Sequence, residues 1–191
     1  MKIGLYFGSF NPIHNGHLVI AGYMAEFTDL QQVWMVVSPH NPLKPSATLL
    51  QDYHRFYLVE LAIGHNKKLK ASKIEFNLPK PSYTIHTLTY LHEKYPQHEF
   101  ALIMGSDNLK TFHKWKNYEQ ILAAHDIYVY PRPLFYGGDL INHARVKMID
   151  APLMEISASF IRKSIKEKKD VRYMVPESVW NYIEEMHFYE K

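Results

Sequence analysis

Two histidines, His14 and His17, stand three residues apart at the end of the string Gly8-Ser9-Phe10-Asn11-Pro12-Ile13-His14-Asn15-Gly16-His17. Two imidazoles at one helix mouth can aim N–H donors at phosphate oxygens. The free main-chain N–H groups of a helix start favour the same anion. Gly8 and Ser9 let the backbone turn tightly and approach a ligand. Zinc is the competing chemistry, but the chain has no cysteine and no carboxylate lies near either histidine in sequence. A second set is Ser157, Ser159 and Arg162. If a helix begins near Ser159, Ser157 or Ser159 caps it, and Arg162, one turn on, can hold two phosphate oxygens at once. Each set has a bland alternative, surface histidines for the first and a plain capped helix for the second. Side by side, they favour phosphate.

These residues need a scaffold that brings distant loops together. Lys2 to Phe7 reads as a buried strand, followed by a helix through Leu18, Ile20, Ala21, Met24 and Phe27, with Asn15 and Gly16 as its cap. Val33 to Val37 is a second strand, and Ser38 to Ser46 a loop broken by Pro39, Pro42 and Pro45. Asp52 caps the next helix, and Leu69 to Phe76 reads as a third strand. Thr84 to Tyr95 is helical, Phe100 to Met104 a central strand, and Lys110 to Ala124 a broken helix. Asp126 to Tyr130 and Val146 to Ile149 are further strands; Ser159 to Lys168 and Glu177 to Met186 are helices. Strands alternating with helices predict an α/β fold: a single Rossmann-like, doubly wound parallel sheet with helices on both faces. Ligands of such sheets bind at the carboxyl ends of the strands, near the switch in strand order. Four loops carry polar residues to that rim: 8–17, then His40, Asn41 and Lys44, then Gly105, Ser106 and Asp107, then Ile156 to Arg162. The strand order itself is not readable.

The 191 residues suit one domain spanning 1–191, with 47% hydrophobic content for its core. No apolar run reaches the roughly 20 residues that cross a bilayer. The first residues read as a strand, without a basic segment and apolar signal region. With zero cysteines, the expectation is a cytoplasmic protein without membrane partners. A net charge of +3 is too mild to imply nucleic acid and suits a small anionic substrate. The P-loop, the Gly-x-Gly-x-x-Gly turn and the Gly-x-Ser-x-Gly elbow are all missing, and thiol catalysis is excluded. Lys163 to Arg172 is a charge run that reads as a solvated face. Tyr128, Tyr130, Phe135 and Tyr136 are candidates for a homo-oligomer contact, which the sequence leaves open.

The string around His14 and His17 resembles the (T/H)xGH signature of nucleotidylyltransferases, and Ile156-Ser157-Ala158-Ser159-Phe160-Ile161-Arg162 their Ile-Ser-x-Thr/Ser-x-x-Arg signature. Pro81-Ser82-Tyr83-Thr84-Ile85-His86-Thr87-Leu88, and Gly105-Ser106-Asp107 followed by Phe112 and Trp115, resemble segments of bacterial nicotinate-nucleotide adenylyltransferases. Arg55 fits that family's pattern as a loop anchor. The likeness runs from Lys2 to about Met186. It departs at Asn11, where Asp is frequent, and at Ser159, where Thr is common. The resemblance implies transfer of AMP from ATP to nicotinate mononucleotide, giving nicotinate adenine dinucleotide and pyrophosphate in NAD synthesis. It implies catalytic roles for His14, His17 and Arg162. It implies ATP contacts from Gly8, Ser9, Phe10, Gly105, Asp107, Ile156, Ser157 and Ser159, with Ser159 and Arg162 on the β and γ phosphates. Lys44, Tyr83, Thr84, His86, Asp107 and Trp115 fall to the acceptor. Mg²⁺ is expected to arrive with ATP, since no carboxylate cage is visible for a metal of the protein's own. Nicotinamide mononucleotide or phosphopantetheine are alternative acceptors. A non-catalytic nucleotide sensor is the alternative of a different class, against which the intact His14, His17 and Arg162 argue.

Overall fold

Val33 to Val37 and Phe100 to Gly105 are buried at every position, as strands covered on both faces must be. A computed structural model describes residues 1–39 and 49–191. Its strands are β1 (Lys2–Gly8), β2 (Gln32–Val37), β3 (Leu69–Ser72), β4 (Glu99–Gly105), β5 (Ile127–Tyr130) and β6 (Val146–Met148). They form one 6-stranded sheet in the order β3-β2-β1-β4-β5-β6, and every pairing is parallel. The chain winds outward from β1 to β3, returns, and winds the other way from β4 to β6. The switch point therefore lies between β1 and β4, where their carboxyl-end loops part and leave a crevice.

The helices are α1 (Asn15–Phe27), α2 (Asp52–Ile63), α3 (Thr84–Lys94), α4 (Ser106–Thr111), α5 (Tyr118–Ala124), α6 (Ala158–Lys166) and α7 (Glu177–Glu185). Alternate side chains of each strand feed two cores. On one face Val33, Met35 and Val37 meet Met24 of α1, Leu58 of α2, Ile161 of α6 and Val179 of α7. On the other Leu5, Trp34 and Leu102 meet Leu91 of α3, Leu109 of α4 and Ile121 of α5. Each such Leu or Ile contributes about 1.5–3 kcal/mol by leaving water.

Several boundaries differ from the sequence reading. The cap of α1 is His14, not Asn15 or Gly16. Gln51 rather than Asp52 caps α2; Asp52 begins the helix, and its carboxylate takes a hydrogen bond from Arg55 at 2.6 Å. The third strand stops at Ser72 and a 3₁₀ turn, Ile74–Asn77, follows. That turn buries the Glu75 carboxyl against Thr87 of α3, an interaction a regular strand would not place. A helix begins already at Ser106, ahead of the expected Lys110. Tyr128 and Tyr130 are buried in the sheet and are therefore not surface residues for an oligomer.

The amino-terminal edge of the sheet is closed by charge. Lys2 Nζ reaches Asp29 at 2.9 Å and Asp126 at 2.7 Å. Asp126 also pairs with Lys147 at 3.0 Å and Arg145 at 3.2 Å, and the Tyr128 hydroxyl donates to Asp29. Hydrogen bonds from Lys2, Lys147 and Arg145 hold the Asp126 carboxyl far below the usual carboxylate range, overriding partial burial.

Candidate active site

The loop leaving β1 carries the first polar set into the crevice. His14 is extended, as a cap must be, and its carbonyl accepts from the His17 and Leu18 N–H groups. Its own N–H donates to His17 Nδ1 at 3.3 Å. In the neutral His17 ring the proton therefore sits on Nε2, which is the atom free to donate. The two rings stack with centroids 3.6 Å apart, while Phe10 closes on His17 edge-to-face at 5.0 Å. His14 is buried and its Nδ1 has no hydrogen-bond partner among the described residues. Burial, with the nearby Arg132 charge, lowers its pKa to about 4. Burial, then His14 and Arg132, hold His17 well below its ordinary range. Both rings are neutral at pH 7, and an arriving polyanion would favour their protonated forms.

Phe10 itself sits at φ +44 with its ring in the core. Any nucleotide contact it makes comes from its main chain. Gly8 is glycine for a local reason: a Cβ there would stand 2.8 Å from the Phe10 ring.

Two arginines from distant elements fasten this loop. Arg55, fully buried in α2, donates to the carbonyls of Ser9 at 2.6 Å and Ser38 at 2.8 Å, which makes it the loop anchor expected. Burial presses its pKa down and Asp52 opposes that fall. Arg162 of α6 donates to the Asn11 carbonyl at 2.7 Å and to Ser159 Oγ at 3.3 Å. The second polar set thus meets the first through Asn11. Ser157 caps α6 by accepting from the Phe160 N–H at 3.2 Å, and Ile156 packs against the core beside it.

From the far side of the switch point come Gly105 and Asp107. A Cβ on Gly105 would press on Asp107 Oδ1 and stand 3.1 Å from the Arg132 side chain, so this corner is closed to anything larger. Asp107 Oδ1 and Arg132 Nε are buried without partners among the described residues. Arg132 lies over the Tyr130 ring at 5.3 Å, and its main-chain N–H is held by Ser106 Oγ at 2.9 Å. The sequence reading missed Arg132. It stands two residues after β5, at the same carboxyl-end position as the other loops, in a Tyr-Pro-Arg-Pro run among aromatics that the sequence offers only as candidates for an oligomer contact. That position was the available signal.

Trp115 and Asn108 line a cavity of about 40 Å³ with Tyr6, Phe7 and Tyr130, next to the crevice. Tyr83 caps α3, Thr84 begins it, and His86 lies 5.5 Å from the Tyr83 ring. Lys116, also missed, joins this corner to the Trp115 turn: its Nζ is 3.3 Å from His86 Nε2 and 4.5 Å from the Tyr83 ring centroid. Lys44, like His40 and Asn41, lies outside the described residues. A larger cavity, about 450 Å³, lies elsewhere, between Ile165, Arg172, Trp180 and Phe188.

A cytidylyltransferase-like family model matches residues 5–164. A probable nicotinate-nucleotide adenylyltransferase of Flavobacterium johnsoniae is 59% identical over 100% of both chains. One from Bacteroides thetaiotaomicron is 46% identical over 97% of this chain and 92% of its own. In fold, the chain is similar to the nicotinic acid mononucleotide adenylyltransferase of Plasmodium falciparum complexed with NaAD. That match has a TM-score of 0.83 at 21% identity, over 99% of this chain and 97% of the other. With the sheet order, the histidine pair and end-to-end identity to such relatives in agreement, this chain belongs to the nicotinate-nucleotide adenylyltransferase family.

Proposed function

We propose that the crevice between β1 and β4 joins the AMP part of ATP to nicotinate mononucleotide. A phosphate oxygen of the acceptor attacks the α-phosphorus of ATP. The bond to the oxygen bridging α and β breaks, and its electron pair leaves on pyrophosphate. No protein nucleophile takes part; the work is alignment and stabilisation of developing charge. The observation that carries this reading is the stacked His14–His17 pair at the mouth of α1, joined to Arg162 through Asn11. His17 Nε2–H and His14 meet the phosphate oxygens at which charge grows, and Ser159 and Arg162 hold the β and γ phosphates. Losing one such preorganised donor typically costs about 2.7–4 kcal/mol of transition-state stabilisation. Arg132 adds a cation on the acceptor side. After burial, its charge is a further cause that depresses both histidines, and an anionic substrate would answer that charge.

Mg²⁺ enters with ATP as part of the substrate. Among the described residues no three His, Asp or Glu gather to hold an ion independently. No helix of the described residues is long and apolar enough to cross a membrane, and the absence of cysteine supports a cytoplasmic setting.

For the acceptor, Trp115 stacks on the pyridine ring while the start of α3 near Tyr83 and Thr84 offers main-chain N–H groups to its carboxylate; the His86 N–H is instead held by the Tyr83 carbonyl at 2.9 Å. An amide would turn its NH₂ toward those donors and leave them unpaired. Such a site rejects the wrong partner by orders of magnitude. The test is pyrophosphate release with ATP and each of nicotinate mononucleotide, its amide and phosphopantetheine. A strong preference for the acid, and a raised acid KM with unchanged ATP KM in Trp115→Ala, are the expected results. Equal kcat/KM for acid and amide would sink the acceptor assignment, and no pyrophosphate with any acceptor would sink the transferase reading.

A further inference from the structure

After α7 the chain turns back through His187, at φ +52, and Tyr189, at φ +67. Phe188 seats this return against His54 at 5.0 Å and Tyr182 at 5.7 Å. The Tyr189 hydroxyl then donates to Asn11 Oδ1 at 2.8 Å. The same oxygen accepts from the Leu50 N–H at 3.2 Å, and the Asn11 carbonyl accepts from Arg162. Asn11 is buried and lies between Phe10, in the left-handed region, and the segment leading to His14. A non-glycine residue held at positive φ costs about 1–3 kcal/mol and persists only where its surroundings fix it.

We infer that Tyr189 is a positioning residue for the transfer reaction: through Asn11 it holds the β1–α1 loop in the strained form that stacks His14 on His17 and brings Arg162 beside them.

The inference rests on the transfer reading above. Three fasteners converge on one loop, and they differ in kind. Arg55 binds the Ser9 carbonyl and Arg162 binds the Asn11 carbonyl, so either would hold another residue's main chain as well. Tyr189 is the fastener that reads the Asn11 side chain. An amide oxygen there accepts both the phenol and the Leu50 N–H without adding negative charge beside Arg162. A carboxylate would accept the same bonds and also draw on that arginine. The phenol stays protonated under all working conditions, because burial pushes its pKa far above the usual value despite the opposing Arg162 and Arg55 charges. Its bond to Asn11 is therefore a constant of the structure.

Tyr189→Phe keeps the packed ring and removes only the donor. Misplacing a reacting group by about 1 Å can cost about 10²-fold in rate; a loop that loses one of its fasteners is expected to lose about tenfold in kcat, with the KM of the acceptor unchanged. The decisive arm repeats the change in a His14→Ala enzyme. With His14 removed, its share of the alignment is already lost, so Tyr189→Phe should cost less in that background than in the wild type. Wild-type kcat in Tyr189→Phe overturns the inference. So does an equal loss in both backgrounds, which would mean a general weakening of the fold. Wild-type enzyme run alongside separates this failure from failure of the transfer reading. If the wild type released no pyrophosphate, the latter would be at fault, and ATP affinity by calorimetry, unchanged in Tyr189→Phe, would then count against Tyr189 as well.

Discussion

At the amino-terminal edge of the sheet Lys2, Asp29, Asp126, Lys147, Arg145 and Tyr128 answer one another in a single network. At the carboxyl-terminal edge His14 Nδ1, Asp107 Oδ1 and Arg132 Nε are buried with no partner among the described residues. The same strands end in both, so the contrast is not one of scaffold. A buried polar atom without a partner costs about 1–3 kcal/mol. A fold tolerates that where a ligand's charge will later repay it, whereas the six side chains at the amino-terminal edge answer one another. One edge is arranged for stability and the other for chemistry.

The sharpest way to break this comparison is His17→Ala. It should lower kcat by about 10²–10³-fold. Its melting temperature should stay within about 4 °C of wild type, the shift that about 1 kcal/mol gives a chain of this size. A large fall in melting temperature would mean that the carboxyl-terminal edge is structural after all. Arg162→Lys comes next. A guanidinium holds two oxygens where an ammonium is a point charge, so kcat/KM for ATP should drop about tenfold, about 1.4 kcal/mol, with acceptor KM little changed. Wild-type steady-state kinetics in this variant would remove the phosphate clamp.

The mirror-image change is Asp126→Asn, at the paired edge. It leaves three cations short of their shared anion in a partly buried place, and urea unfolding should show a loss of about 1–3 kcal/mol. Steady-state activity at 25 °C should be unaltered; lost activity in folded protein would show that the two edges are coupled. The smallest effect is in the acid limb. The His14 pKa, about 4 folded against an ordinary 6.5, means that the unfolded chain binds its proton first. Stability therefore falls as pH drops from 6.5 to about 4 and His14 adds no further slope below that. The Asp29 carboxyl, held at about 2 against an ordinary 3.8 by Tyr128 and Lys2 over a modest burial penalty, contributes fully above 3.8 and fades as pH falls toward 2. Urea titrations across pH should show His14→Gln flattening the upper window and Asp29→Asn only the lower.

How much of this was visible in the sequence follows from what sequence patterns encode. The strands and helices were legible because burial on both faces writes continuous apolar runs such as 33–37 and 100–104. The histidine pair, Ser157, Ser159 and Arg162 were legible because each sits at a helix start, where spacing and geometry are tied. Strand order was not, since parallel pairing leaves no local mark. His14 escaped notice as a cap because histidine is not among the residues that usually serve there. Arg132 escaped because aromatics around two prolines suggested a surface. Tyr189 and Asn11 meet across 178 positions, and no window on the sequence joins them.

The placement of the tryptophans has an optical consequence. The chain has three. Trp34 and Trp180 are buried in the two cores; Trp115 is partly open beside the small cavity, with Lys116 next to it in the chain. Two indoles therefore emit from fixed apolar surroundings as a steady background, and the third faces the place assigned to the pyridine ring. An electron-poor ring stacked on Trp115 would quench that third share alone. On the proposed acceptor site, Trp115 emission would gauge acceptor occupancy without a label and without turnover.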